Sequence, residues 1–261
     1  MEVVILEDEE QVGRVGADAV AQHVLADPSS VLGLATGSSP LPVYQELAAR
    51  VRRAELSLAG CRAFLLDEYV GLPPGHPESY REVIMRDFVD HVDLIPAQVQ
   101  GPDGLAEDVR EACSAYEQAI ADAGGVDVQL LGVGSDGHVA FNEPGSSLGS
   151  RTRIKTLTGQ TRRDNARFFG GDVAAVPQHC ITQGIGTILD ARHLVLVAMG
   201  VAKAEAVHSL VEGAVSALWP ASALQLHAHV TVILDGAAAS RLQLKDYYRE
   251  AYAVKPAWQG F

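Results

Sequence analysis

The stretch Leu194-Val195-Leu196-Val197-Ala198-Met199-Gly200-Val201-Ala202-Lys203-Ala204 passes from an apolar run, through a glycine, into a segment of helical period. In that segment Ala204, Val207, Leu210 and Val211 share one face. A short continuous apolar run closed by Gly reads as a strand buried on both sides. The same unit recurs along the chain. Val31-Leu32-Gly33-Leu34, Ala63-Phe64-Leu65-Leu66, Val126-Asp127-Val128-Gln129-Leu130-Leu131 and His229-Val230-Thr231-Val232-Ile233-Leu234 read as further buried strands. Between them, Tyr44, Leu47, Ala48 and Val51 lie on one helical face. Val83, Phe88 and His91 with their neighbours form another, and Ala112, Tyr116, Ala119 and Ile120 a third. Strands alternating with helices mean βαβ crossovers. The expectation is an α/β chain forming a single domain over residues 1–261, with a mostly parallel twisted sheet and helices on both faces, Rossmann-like and three-layered. No fixed-period repeat, low-complexity tract or Pro/Gly/Ser-rich linker interrupts it. Ligands of such folds bind beyond the carboxyl ends of the strands, so chemistry is sought there.

Composition bounds the partners. With 20 Lys+Arg against 33 Asp+Glu in 261 residues the net charge is −13. That balance argues against nucleic acid or an anionic membrane, either of which needs a basic face. A small anionic substrate then requires a local positive site. The N-terminal run Val3-Val4-Ile5-Leu6 is followed by acids, the opposite of a basic signal-peptide start. The longest apolar runs fall far below the ~20 residues that span a bilayer. Cys61, Cys113 and Cys180 are odd in number and widely spaced, giving neither a disulfide framework nor zinc spacing. A cytoplasmic protein with reduced thiols is expected.

Four strand ends carry chemistry. In Leu34-Ala35-Thr36-Gly37-Ser38-Ser39-Pro40 small residues allow a tight turn into the helix containing Tyr44 and Leu47. Free N–H groups at a helix start attract an anion, and the hydroxyls of Thr36, Ser38 and Ser39 add donors. No Gly-Lys-Ser/Thr follows, so it is not a P-loop; a plain Ser/Thr-rich turn is the alternative. In Leu65-Leu66-Asp67-Glu68-Tyr69 two carboxylates leave an apolar strand and point to opposite sides if the strand persists. One can serve as a partly desolvated general base while the other meets backbone, or either can be a simple cap.

Gly132-Val133-Gly134-Ser135-Asp136-Gly137-His138-Val139-Ala140-Phe141-Asn142-Glu143-Pro144-Gly145 is the richest segment. Its formal Gly-x-Gly-x-x-Gly is not a dinucleotide fingerprint. Pro144 and Gly145 cut short any helix after Gly137, and no acid lies between Glu143 and Asp164 to bind a ribose. His138 instead stands between Asp136 and Glu143. A carboxylate on one imidazole nitrogen fixes the tautomer and leaves the other nitrogen for proton transfer. Metal binding by these three is the rival, without a companion His pair at ligand spacing. Lys203 falls in the first turn of a helix, where the macrodipole disfavours a cation unless an anion binds there; a solvated Lys is the alternative. His227 and His229 share a face but lack a third partner, Trp219-Pro220 and Tyr247-Tyr248 read as packing, and Arg162 and Arg163 as solvated.

Together and in this order, these pieces resemble the glucosamine-6-phosphate deaminase family, within the wider glucosamine/galactosamine-6-phosphate isomerase and 6-phosphogluconolactonase superfamily. The resemblance runs through Ala35-Thr36-Gly37-Ser38-Ser39-Pro40, Leu66-Asp67-Glu68-Tyr69-Val70-Gly71-Leu72, His76-Pro77-Glu78-Ser79-Tyr80 and the segment from Gly132 to Pro144. It continues in Ser150-Arg151-Thr152-Arg153-Ile154-Lys155-Thr156-Leu157, Asn165-Ala166-Arg167-Phe168-Phe169 and Gln225-Leu226-His227. It implies conversion of glucosamine 6-phosphate and water to fructose 6-phosphate and ammonia, with no metal or organic cofactor. Asp67 then resembles the base that moves the C2 proton to C1, and His138 the ring-opening acid/base oriented by Asp136 and Glu143. Thr36, Gly37, Ser38, Ser39, Arg167 and Lys203 resemble the family's phosphate site. Some members are hexamers activated by N-acetylglucosamine 6-phosphate, and Ser147, Arg153 and Lys155 match that effector site. On an extended segment Arg153 and Lys155 face the same way. A homo-oligomer is expected on the same ground. The alternatives are a galactosamine 6-phosphate isomerase, a 6-phosphogluconolactonase, and a sugar-phosphate sensor without turnover. The Asp67-to-Leu72 motif and Glu143 favour the deaminase, and intact Asp67 and His138 favour turnover.

Overall fold

The computed structural model describes the backbone of residues 1–261 and all side chains but those of Asp164 and Ala257. The first half runs β1 (Glu2–Leu6), α1 (Glu9–Ala26), β2 (Val31–Leu34), α2 (Leu41–Arg52), β3 (Arg62–Leu65), β4 (Asp67–Tyr69), α3 (Tyr80–Asp87), β5 (Val99–Gln100), α4 (Val109–Asp122) and β6 (Val128–Leu131). The second runs β7 (Arg153–Thr156), α5 (Gly159–Asn165), β8 (His179–Thr182), α6 (Ile185–Leu189), β9 (His193–Ala198), α7 (Ala204–Val211), β10 (Val230–Asp235) and α8 (Lys245–Ala253).

Seven strands form a parallel sheet in the order β1-β10-β9-β6-β2-β3-β5. Every residue of β9 is buried. Leu194, Leu196 and Ala198 pack into the core on one face, while Val195 and Val197 pack into the core on the other. Each large apolar side chain so buried contributes roughly 1.5–3 kcal/mol, and helices must cover both faces to collect it. The expected parallel α/β architecture is therefore present. From β2 the chain builds outward through β3 and β5, and then returns to build the other way through β6, β9 and β10. The reversal opens a crevice between the carboxyl ends of β2 and β6, where such folds bind ligands.

Two features go beyond the sequence reading. The first is α1, capped by Asp8, whose side chain accepts from the Gln11 N–H at 2.8 Å. Its inward face is made of Gly and Ala more than of large apolar residues, so helical period is faint there. The smallness is required: a Cβ on Gly13 would stand 2.6 Å from Pro42 O, and one on Gly16 2.5 Å from Val43 Cγ2, both on α2. The second is an antiparallel three-stranded sheet, β4-β8-β7. Leu66 is the corner between the sheets. Its N–H donates to Leu34 O of the large sheet at 3.3 Å, and its carbonyl accepts from Gln183 N beside the small one at 2.7 Å.

The three cysteines are buried and unpaired. At the amino end of the large sheet, His193 is fully buried; its ring stacks on His229 at 3.7 Å and bonds His23 at 3.0 Å and Thr231 at 2.9 Å. The partner that His229 lacked in the sequence is thus His193. Among the described residues no group of three or more His, Cys, Asp or Glu is placed to hold a metal ion, and no helix is long and apolar enough to cross a membrane.

Candidate active site

The crevice is walled on one side by the turn after β2. Gly37 has φ +99°, in the left-handed region where Cβ is unfavourable. Ser38 is exposed, and no side chain caps α2, a helix of 12 residues. Ser39 sits against the loop after β6: a Cβ on Gly132 would lie 3.6 Å from Ser39 Cβ. Thr36, Gly37, Ser38 and Ser39 thus lie between the carboxyl end of β2 and the start of α2, beside the loop after β6.

Asp67 begins the small sheet at the corner made by Leu66. It is only 6% exposed. Among the described residues its carboxyl takes no hydrogen bond. Burial, with Glu68 alongside, pushes its pKa well above the usual carboxylate range. Glu68 is 8% exposed and fully occupied: it accepts from the N–H groups of Tyr69 at 2.8 Å, Tyr80 at 3.0 Å and Arg81 at 3.0 Å. It thereby caps α3 from outside, beside the N-cap Ser79. The strand separates the pair as alternation requires, one carboxylate bound to backbone and one left unbound.

No helix follows Gly137, so the loop after β6 is not a dinucleotide turn. It closes on itself through Gly134 N–H to His138 O at 2.8 Å and a bridge between Val139 and Asn142, with Ala140 at φ +52°. Gly134 must lack a Cβ, which would fall 2.2 Å from the His138 ring. Asp136 Oδ1 and His138 Nδ1 are 2.6 Å apart, and this bond holds the Asp136 carboxyl down at about 2. An ionised carboxylate can only accept, so Nδ1 carries the proton. Nε2 has, among the described residues, no partner, and in the neutral ring it is the nitrogen that carries the lone pair. The two sheets meet here: Asn142 Nδ2 donates to Gln183 O at 2.8 Å, and Phe141 N–H to Thr182 Oγ1 at 3.2 Å. Burial, and then the nearby charges of Asp67 and Glu143, push the Cys180 thiol pKa up.

Glu143 differs from the sequence expectation. It was expected to flank His138 together with Asp136. Its Oε1 instead accepts from the hydroxyl of Thr161, on α5. Its partner is set by a helix that follows it in the chain, which local spacing cannot show.

Lys203 ends a short 3-10 turn and sits immediately before α7. It is half-buried, and burial lowers its pKa; Asp136 and Arg167 are near enough for their charges to act on it in opposite senses. Among the described residues neither Lys203 nor Arg167 forms an ion pair; the Arg167 guanidinium rests 4.6 Å from the Phe168 ring centre. Lys203 and Arg167 are thus two cations near one another, neither paired among the described residues. Asp235 was missed in the sequence, though it ends an apolar run. It accepts from Gly200 N–H at 3.0 Å and Ala238 N–H at 2.6 Å and so fixes the turn before Lys203. Arg162, read as solvated, is tied to the carbonyls of Val173 at 2.7 Å and Val176 at 2.9 Å, because its segment folds back over it.

Arg153 and Lys155 lie on β7 of the small sheet, where Thr182 of β8 stands between Arg153 and Asp67. Along β7 burial alternates, and Arg153 and Lys155 occupy the half-buried face, as period two requires. Ser147 is exposed.

The arrangement defines a class. The family model for glucosamine-6-phosphate isomerases/6-phosphogluconolactonase matches residues 8–233, and the chain belongs to that family. Within it the similar curated proteins are deaminases. A glucosamine-6-phosphate deaminase of Mycolicibacterium smegmatis is 66% identical over 260 residues, covering 100% of both chains. One of Bifidobacterium longum is 56% identical over 267 residues, covering 99% of each. A solved monomeric glucosamine-6-phosphate deaminase superposes with a TM-score of 0.88 at 41% identity, over 92% of this chain and 99% of that one. The 6-phosphogluconolactonase of Trypanosoma cruzi shares the fold, with a TM-score of 0.74 at 21% identity over 93% of this chain and 97% of that one.

Proposed function

We propose that this chain is an amino-sugar-phosphate deaminase that converts glucosamine 6-phosphate and water to fructose 6-phosphate and ammonia. The observation that carries the reading is Asp67: a buried carboxyl with no hydrogen bond, raised pKa, and His138 in the loop across the junction of the two sheets. The phosphate takes the open start of α2 with the hydroxyls of Thr36, Ser38 and Ser39, together with Lys203 and Arg167. His138 Nε2 accepts the proton of the C1 hydroxyl and returns one to the ring oxygen, opening the sugar to its aldehyde. Asp67 removes the proton from C2, giving an enolamine, and delivers it to C1. The C2 imine that results adds water and releases ammonia, leaving the ketone of fructose 6-phosphate. Asp136 keeps the His138 tautomer in place, and Glu143 takes part in the proton path from its position on Thr161. Anchoring the phosphate holds C1 and C2 between the two groups.

Arg153 and Lys155, with Ser147, form an anion site for N-acetylglucosamine 6-phosphate acting as activator. The support is a shared half-buried face on β7 and a Lys155 ammonium that, among the described residues, has no ion-pair partner. The setting is cytoplasmic, in keeping with the unpaired cysteines, and the working form is a homo-oligomer.

One panel tests the set. Ammonia release is measured from glucosamine 6-phosphate, galactosamine 6-phosphate and phosphogluconolactone, with and without N-acetylglucosamine 6-phosphate, beside the mass in solution. Ammonia and fructose 6-phosphate from the gluco compound support the reading; hydrolysis of the lactone alone overturns it.

A further inference from the structure

α5 reaches into the loop after β6. Thr161 gives its hydroxyl hydrogen to Glu143 Oε1. The Thr161 oxygen also lies 3.0 Å from Thr158 Oγ1, and with its own hydrogen already given it can only accept, so Thr158 donates to it. Thr158 in turn accepts from the Thr161 N–H at 3.1 Å as the N-cap of α5. The two hydroxyl hydrogens are therefore ordered, both running toward Glu143. Capping alone does not explain it. Thr158 caps the helix, and the Thr161 side chain spends its hydrogen outside the helix on the neighbouring loop.

The same segment grips the small sheet. Asn165 Nδ2 donates to Tyr69 Oη at 3.0 Å, two residues beyond Asp67, and Ala166 packs with Tyr69 and Phe141 in a small core. Arg167 follows at once. One short stretch thus touches the Glu143 loop, the strand of Asp67 and the phosphate site.

We infer that Thr161 is a positioning residue that holds Glu143 through its hydroxyl and so makes the placement of Glu143 depend on where α5 lies. Arg167, drawn to the substrate phosphate, settles α5; Thr161 then settles Glu143. Phosphate binding at one end of the sugar is thereby read at the carboxylate serving the other end. The inference rests on the deaminase reading, in which Glu143 and Arg167 have their roles.

The test compares Thr161→Val, which keeps the shape, Thr161→Ala and Thr161→Ser in the full chain, with glucosamine 6-phosphate as substrate. Loss of a hydrogen bond to a charged group predicts a fall in kcat of about tenfold or more for Thr161→Val and Thr161→Ala, with KM changed less than kcat. Thr161→Ser restores kcat to within about twofold. In a Glu143→Gln background, adding Thr161→Val costs less than about twofold, because coupled residues are not additive. Wild-type kcat in Thr161→Val, full multiplication of the two effects, or a Thr161→Ser variant as slow as Thr161→Val with an unchanged Tm each overturn the inference. A wild-type chain that releases no ammonia would overturn the deaminase reading instead, which keeps the two failures apart.

Discussion

Asp67 and Glu68 are adjacent and almost equally buried, yet among the described residues Glu68 is bound by three backbone N–H groups and Asp67 by none. The first is held for structure and the second is free for chemistry. Glu68→Ala strips the outside cap of α3 and should cost about 1–3 kcal/mol, read as a lower urea midpoint. Asp67→Asn should do the reverse. A carboxyl that keeps its proton to higher pH in the fold than in the unfolded chain loses stability as pH rises through that interval. At pH 8 the Asn variant should melt above wild type while losing exchange of the C2 proton and retaining sugar-phosphate binding.

The pH profile follows from the same pair. In the proposed reaction Asp67 is a base only when ionised, so kcat/KM should fall as pH drops through its raised pKa, at an acid limb above the ordinary carboxylate range. Glu68 helps to raise that pKa by like charge. Glu68→Gln should therefore shift the limb to lower pH, by less than the part set by burial. A limb that stays put, in a variant that still folds, would remove Glu68 from the account.

His138 and Asp136 act as a unit. Asp136→Asn removes the charge that fixes the Nδ1 proton and offers an amide N–H that can donate to Nδ1 and reverse the tautomer, and kcat should fall by about 10²-fold or more. His138→Gln should slow ring-closed substrate more than an open-chain analogue. Equal losses on both would argue against ring opening at Nε2.

Lys203 stands half-buried with no counter-ion among the described residues. Lys203→Met should raise KM for glucosamine 6-phosphate about tenfold or more, in the range of a lost charge-assisted hydrogen bond, and leave the binding of unphosphorylated glucosamine nearly unchanged. Paired dissociation constants for the two sugars check this.

At the other end of the sheet, burial and the neighbouring imidazoles of His229, His23 and His227, with Lys255, hold His193 at about 3. The unfolded chain protonates this residue near pH 6.5 and the folded one does not until about 3. Stability should therefore be lost as pH falls from about 6.5 toward 3. His193→Gln should flatten that slope in urea titrations between pH 7 and pH 4, even if it lowers stability at pH 7.

Much of this was legible in the residues. β9 and β10 announced themselves because strands buried on both faces must be continuously apolar, and the residues that follow them had to be at the crevice. The small sheet was not legible. β4 is three residues long and begins with two acids, and β7 alternates weakly. What makes them strands is pairing with β8, far along the chain. The partner of Glu143 was hidden for the same reason, since Thr161 reaches it only after α5 folds back. Asp235 was visible and passed over, being one more acid after one more strand.

The corner at Leu66 has a consequence for how the molecule selects its substrate. Residues 36–39 and Lys203 hang from the seven-stranded sheet, whereas Asp67 belongs to the three-stranded one. In the proposed complex the phosphate rests on residues 36–39 and Lys203 while the second carbon faces Asp67, so Leu66, bonded to both sheets, sets the distance between the two. On that reading the fold measures its substrate as a caliper does, and a phosphosugar one carbon shorter or longer should reach one end of the span but not both.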